Sequence, residues 1–563
     1  MATLAPIFTA WLDDFFRSYY RHRPVNATFI GVHEYDDRLP DYSERGVADV
    51  TADMANLLAR LRALPPEPLT PSESLDKKLA GGFLEIQQWK YPSGHFQGGN
   101  PCVYTGEAGF GVMSLFLRPF APMAQRVDAA IHRLNGIPVL LAQGQANVRA
   151  APPAWTERAI RECVGALAFL KGGIDQLIPE CGVAAPRLRA AADIAATAFA
   201  DFQHYLQAEL CLHPTDHYAC GADAFALLLR QGHFLDLDAR AVETRAREQF
   251  AACEAELEQH AADFGAHTWR DALARLADEH PPADQYYARH AELWEACHRA
   301  AHQHNLLTWP DYPLRFIPRP AWAREAAPYL YFLFYRSPAP YDDLPVTELL
   351  LAPITPEMAP SEQERFLRAN NDSVIKLNHV VHHAAIGHHV QNWHAYRAAS
   401  RIGQIAAVDC ASRIAMFCGG TMAEGWACYA TELMDEIGFL TPLEHYSMHQ
   451  SRLRMAARAI ADVKLHHGEW SLEDTTNFYR DKVGMSQEAT QAEAVKNSMF
   501  PGAAMMYMIG TNLIHELRRD LAARQVAAFD LRRFHDRFLS YGSVPVSLIS
   551  TEMKGQFDYA SQE

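Results

Sequence analysis

With 563 residues, 49% of them hydrophobic and 21% charged, the chain has the make-up of a globular protein rather than a disordered or fibrous one. A formal net charge of −16 excludes broad nucleic-acid binding, which needs basic stripes. No run approaches the ~20 uncharged apolar residues of a membrane-spanning helix.

The N-terminal segment has no basic region ahead of its apolar run, and Asp13 and Asp14 interrupt that run early. This is not the pattern of a secretory signal peptide, so a cytoplasmic location is expected. The length prior of ~150 residues per domain would suggest three or four domains. No Gly/Ser linker, charge block or low-complexity segment separates them, so residues 1–563 are expected to form one large helical domain. Residues 1–315 supply a mainly helical part, and residues 316–563 carry the chemistry.

Ile7, Trp11, Phe15 and Tyr19 recur at helical spacing, which predicts a helix over residues 5–22. A loop rich in Pro, Gly and Asp follows to Tyr42. Helices are expected over 46–64, ending before Pro65-Pro66, and over 72–90. The Gly/Pro/Asn-rich stretch 91–110 reads as a loop. Residues 111–315 are helical almost throughout, with Pro and Gly breakers between segments and an Asp cap at Asp238. Aromatic and β-branched residues around a Pro-rich turn predict a small β element near 328–353. After a turn near Gly403, helices are expected over 422–437, 442–467, 471–483, 487–499 and 503–523, with a last one from Leu531 to Gly542. The fold class is therefore all-α with one small β element. The ten cysteines, Cys410 and Cys418 among them, form no C-x-x-C pair and read as buried thiols in a reducing compartment.

Between these elements lies Asn378 to His394, NHVVHHAAIGHHVQNWH, in which six of seventeen residues are histidine. Neutral imidazole is the commonest protein metal ligand, and the density points to a metal site. A zinc hydrolase needs three protein ligands and an open position for water. In the H-E-x-x-H arrangement two histidines one helical turn apart bind the ion and the glutamate acts as base. That motif is absent here. His382 and His388 are six residues apart, too far for one face of a regular helix unless Gly387 breaks or bulges it. His379 and His383 form a competing i, i+4 pair. Glu424, in the apolar segment MAEGWACYATEL, is the expected carboxylate ligand, since an acid there is costly to bury without a cation. Glu432 and Glu436 are expected to face solvent. Serine-nucleophile, Walker-A and G-x-G-x-x-G motifs are absent.

Taken together, the segments resemble the bacterial "domain of unknown function 885" family, which is similar to the all-helical gluzincin metallopeptidases such as thimet oligopeptidase and angiotensin-converting enzyme. The family pattern H-E-x-x-P-G-H-H is matched by His382, Gly387, His388 and His389. E-G-W-A-x-Y is matched by Glu424, Gly425, Trp426, Ala427 and Tyr429, and P-G-x-A-x-x-Y-x-x-G by Pro501, Gly502, Tyr507 and Gly510. Arg458, Asp462 and His466 follow a further family run, and Ala27-Thr28, Gly31 and Tyr35-Asp36 match its N-terminal pattern. The resemblance spans essentially the whole chain.

It implies a two-lobed gluzincin-like body with a deep groove and one divalent metal, zinc by analogy, held by His382, His388 and Glu424. The substrate it implies is a peptide or another small molecule with an amide bond. Tyr507 would donate to a developing oxyanion, and Arg458 and His466 would orient substrate. The departures are as informative. The family's motif glutamate is His383 here and its proline is Ile386. Losing a positioned base costs ~10²–10⁴-fold in rate. Hydrolysis therefore requires His383 or His389 as base. Alternatively the centre has turned to other metal-dependent chemistry, as a lyase, rearrangement or redox enzyme with zinc, iron, copper or nickel. In a third case it is a pseudoenzyme that binds a ligand in the old groove.

Overall fold

The computed structural model describes residues 6–66, 68–311, 313–327, 335–336, 339–342, 346–355, 357–405 and 420–560, side chains excepted at 335–336 and 556–560. It is mainly helical, as the periodicity requires. The described residues fall into two compact units. The first is built from the chain up to Cys220 with 318–352, and the second from 221–317 with 353–407 and 417–563.

In the first unit, helix Pro6–His22 buries Trp11, Phe15 and Tyr19 of the stripe read above, with Phe8 in place of Ile7, which is exposed. The loop expected after it contains a further short helix, Pro24–Ile30. Helix Pro71–Lys90 starts on a capping box in which Thr70 and Glu73 satisfy each other's backbone N–H groups. The stretch 91–110 departs from expectation, because helix Cys102–Leu117 begins inside it. All sixteen of its residues are buried, so packing on every side overrides the poor helix propensity of its glycines. Arg133, wholly buried, bonds the Gly111 and Pro24 carbonyls and Thr28 Oγ1 at 2.5, 3.2 and 2.6 Å, joining three helices.

The β element is confined to short strands. Tyr335–Arg336 pairs antiparallel with Thr347–Leu351, with Tyr335 opposite Leu349. Much of the expected β stretch (328–334, 337–338 and 343–345) lies outside the described residues, as do Cys410 and Cys418.

In the second unit, Asp238 caps helix Ala239–His260 by accepting from Ala241 N–H at 2.7 Å, as its sequence position predicts. Helices Gly420–Glu436 and Met506–Gln525 approach through glycines. A Cβ on Gly425 would lie 2.6 Å from Gly510 Cα, and one on Gly510 would lie 2.0 Å from the Thr421 carbonyl oxygen. That crossing sets Glu424 and Tyr507 on neighbouring helices. A last helix, Val546–Ala560, follows the one expected from Leu531 and was not anticipated. Among the described residues no helix is long and apolar enough to cross a membrane.

Candidate metal centre

The histidine stretch does not continue as one α-helix. Residues Val374–Ala384 wind with the wider π hydrogen bonding, the chain breaks at Ala385, and an α-helix restarts as His388–Ala395. At the break Ala385 N–H bonds the Val380 carbonyl (2.8 Å) and Gly387 N–H bonds the Val381 carbonyl (2.9 Å). Gly387 runs so close to the preceding turn that a Cβ would sit 1.9 Å from the His382 carbonyl oxygen. Two tryptophans hold the carbonyls of the break: Trp294 Nε1 donates to Ala384 O (2.7 Å) and Trp426 Nε1 to Ile386 O (2.9 Å). This tight reversal brings His382 and His388, six apart in sequence, together with their rings edge to face, centroids 4.9 Å apart.

His382, His383 and His388 each offer a ring nitrogen within 4.8 Å of the others. His382 Nε2 and His388 Nε2 lie 3.5 and 3.6 Å from Glu424 Oε2. A tetrahedral ion with ~2.0–2.1 Å bonds separates its ligand atoms by roughly 3.3–3.4 Å. The spacing thus matches ligands around an ion more closely than it matches hydrogen-bonded pairs, which close to ~2.7–3.0 Å. The donor set, imidazoles with one carboxylate, suits zinc and its neighbours.

Electrostatics point the same way. Burial holds His382 below its ordinary pKa against the opposing pull of Glu424, and burial together with its neighbouring imidazoles holds His383 well below. Both rings are neutral at pH 7, as ligands must be. Burial pushes the Glu424 carboxyl up, but the two imidazoles outweigh it and hold the group well below the usual carboxylate range. His383 Nδ1 donates to the Asn378 carbonyl at 2.7 Å, which puts its lone pair on Nε2.

The other sequence candidates are distributed as follows. His389 is wholly buried and is not one of the three clustered imidazoles. His379 stacks on His290, with Nδ1 3.2 Å from His290 Nε2, so the i, i+4 pair with His383 does not form a site. The π winding, which bonds i to i+5, takes i+4 off the shared face. Arg458 engages Glu493 through two nitrogens, Nε–Oε1 at 2.7 Å and Nη2–Oε2 at 2.9 Å, and its guanidinium lies over the Tyr507 ring. Tyr507 is half-buried, and burial and the Glu424 charge raise its phenol pKa. His466 Nε2 bonds the Asn497 carbonyl at 3.0 Å. Asp462 accepts from Gly502 and Met505 N–H, both at 3.0 Å, and so shapes the turn that leads into Tyr507.

Glu432 bonds His515 at 2.8 Å and pairs with Arg452 at 3.4 Å. It lines a separate cavity of about 500 Å³ to which none of the cluster contributes. Arg454, half-buried on helix Pro442–His466, was missed in the sequence. Its only signal there was an arginine one helical turn before Arg458.

The profile of a family described as "Bacterial protein of unknown function (DUF885)" matches residues 24–553. The chain belongs to this family. Similar solved structures include two named as putative lipoproteins. One is a "putative lipoprotein of unknown function" from Shewanella oneidensis, 20% identical with a TM-score of 0.78, aligned over 98% of this chain and 100% of that one. The other is a "putative lipoprotein" from Colwellia psychrerythraea, 16% identical with a TM-score of 0.78, aligned over 98% and 99%. At these identities they attest the fold. A search of curated proteins finds no match.

Proposed function

We propose that this family member is a metal-dependent hydrolase acting on a peptide or amide bond, with a divalent ion, zinc by donor chemistry, held by His382, His388 and Glu424. The observation that carries the reading is the convergence of His382 Nε2 and His388 Nε2 on Glu424 Oε2 at 3.5 and 3.6 Å. When bound, such an ion supplies Lewis-acid polarisation of a carbonyl and a water acidic enough to ionise near neutrality. His383 takes the place of the glutamate base. Its Nδ1–H, fixed on the Asn378 carbonyl, leaves Nε2 to accept a proton. Tyr507, on the helix packed against that of Glu424, is the hydrogen-bond donor to the charge that develops on the substrate oxygen. The kinship to gluzincin peptidases inferred from the motifs supports the same assignment.

A second reading draws on one observation, that His383 lies within the same 4.8 Å cluster as His382 and His388. As a fourth ligand it would occupy the position that hydrolysis keeps open, and the centre would suit a lyase, rearrangement or redox step with iron, copper or nickel. The names of the two solved relatives support a cell-envelope setting for this chain as the alternative to the cytosol; cell fractionation with a tagged copy decides between them.

The test is elemental analysis of protein purified without chelator, beside Glu424→Ala and Glu432→Ala. Stoichiometric zinc is expected in the parent and in Glu432→Ala, whose side chain is engaged by His515 and Arg452, and a strong loss in Glu424→Ala. Equal metal in both variants would overturn the ligand assignment. Iron, copper or nickel would favour the second reading.

A further inference from the structure

We propose that Arg454 is the seat for a carboxylate of the substrate, so that this centre takes carboxylate-bearing peptides or amides; the inference rests on the hydrolase reading above. Helices Gly420–Glu436 and Pro442–His466 are joined by a ladder of ion pairs running in opposite chain directions. Asp435 meets His445 at 2.6 Å, and Glu432 meets Arg452 at 3.4 Å. One turn before Glu432, toward Glu424, the Gly420–Glu436 helix carries Cys428 and not a third acid.

Arg454 consequently has no ion-pair partner among the described residues, and its Nε is buried without a hydrogen bond. Glu493, the other acid whose charge reaches it, is engaged through both oxygens by Arg458. A guanidinium taken from water and left uncompensated is costly. This one stands close enough to the centre for its charge to act on His382 and Cys428.

The local charge balance gives the ligand its sign. Arg458 and Glu493 pair with each other. The guanidinium of Arg454 is left for an anion. A guanidinium and a carboxylate match through two parallel N–H bonds, strengthened by partial burial.

The experiment uses the full-length, metal-loaded protein and calorimetry with alkyl hydroxamates that end in a carboxylate, at chain lengths from two to six methylenes, each beside its carboxamide twin. At the fitting length the acid is expected to bind about tenfold or more tighter than the amide, the scale of one charged hydrogen-bonded pair. Arg454→Gln should bring the twins to parity with the amide unchanged and metal content intact. Arg454→Lys, which keeps the charge and loses the fork, should retain part of the preference and serves alone if the glutamine variant does not fold. Parity in the parent, or a full preference surviving in either variant, overturns the role of Arg454 alone. If neither twin binds the metal-loaded protein at any length, the hydrolase reading falls and takes this inference with it.

Discussion

His383 donates through Nδ1 to a backbone carbonyl and sits in one cluster with His382 and His388. Its two proposed roles separate experimentally. As the base, His383→Gln should lower turnover on an amide substrate by about 10²–10⁴-fold while metal content stays intact. As a ligand, the same change should weaken metal binding first. If the proposed peptidase kinship holds, His383→Glu supplies the acid base that kinship implies and should raise amidase or peptidase activity on a broad peptide panel; no gain with metal bound would count against a peptidase ancestry one step away. His382, His388 and Glu424 stood out in the sequence as candidates because imidazoles so dense, and an acid on an apolar helix, need a physical reason. The partners of Arg458 were not, because several acids lie within a helix or two in sequence. The tertiary packing selects Glu493 and leaves Asp462 to the backbone of the turn before Tyr507.

At the scale of the element, what matters is where helices stop and how near they come. The six-residue spacing of His382 and His388 required a break, and Gly387 marked it. The π winding that precedes the break has no sequence signature of its own and follows from the surroundings, including the tryptophans that claim the Ala384 and Ile386 carbonyls. The glycine crossing at Gly425 and Gly510 is a second constraint. Gly510→Ala would drive a Cβ to 2.0 Å from the Thr421 carbonyl oxygen and should destabilise by about 1–3 kcal/mol in denaturant titration. Gly555→Ala, in helix Val546–Ala560 with nothing within 4 Å of the new Cβ, should be neutral or stabilising by about 0.5–1 kcal/mol. Equal effects of the two would show that backbone entropy, and not the helix contact, governs the crossing. Helix Cys102–Leu117 was missed for the reason that makes it stable, since burial on all sides outweighs weak local propensity.

At the scale of the whole molecule, residues distant in sequence are tied by charges that no local pattern foretells. His33 bonds Asp36 and Asp342, each at 2.9 Å, and stacks on Phe120, while Arg118 pairs with Asp342 at 3.1 Å. Burial lowers the His33 pKa, but its bonds to the two aspartates outweigh that and raise it to about 9. Because the folded value lies above the unfolded one, this tie contributes stability in full below pH ~6.5 and loses it as pH rises through about 9. Stability of the parent relative to His33→Gln should differ by on the order of 2 kcal/mol at pH 5.5 and converge by pH 10; a constant difference would remove the linkage.

The amino-acid sequence by itself determined the helical class and most helix starts, and pointed to the residue types of the candidate metal centre, because periodicity, caps and the cost of burying an ionisable group are local properties. Only the tertiary structure decided which histidines meet, which acid answers which arginine, and that Arg454 has no ion-pair partner among the described residues. Those outcomes depend on approaches of a few ångströms between segments tens to hundreds of residues apart, set by glycine contacts and by competition for buried carbonyls and charges.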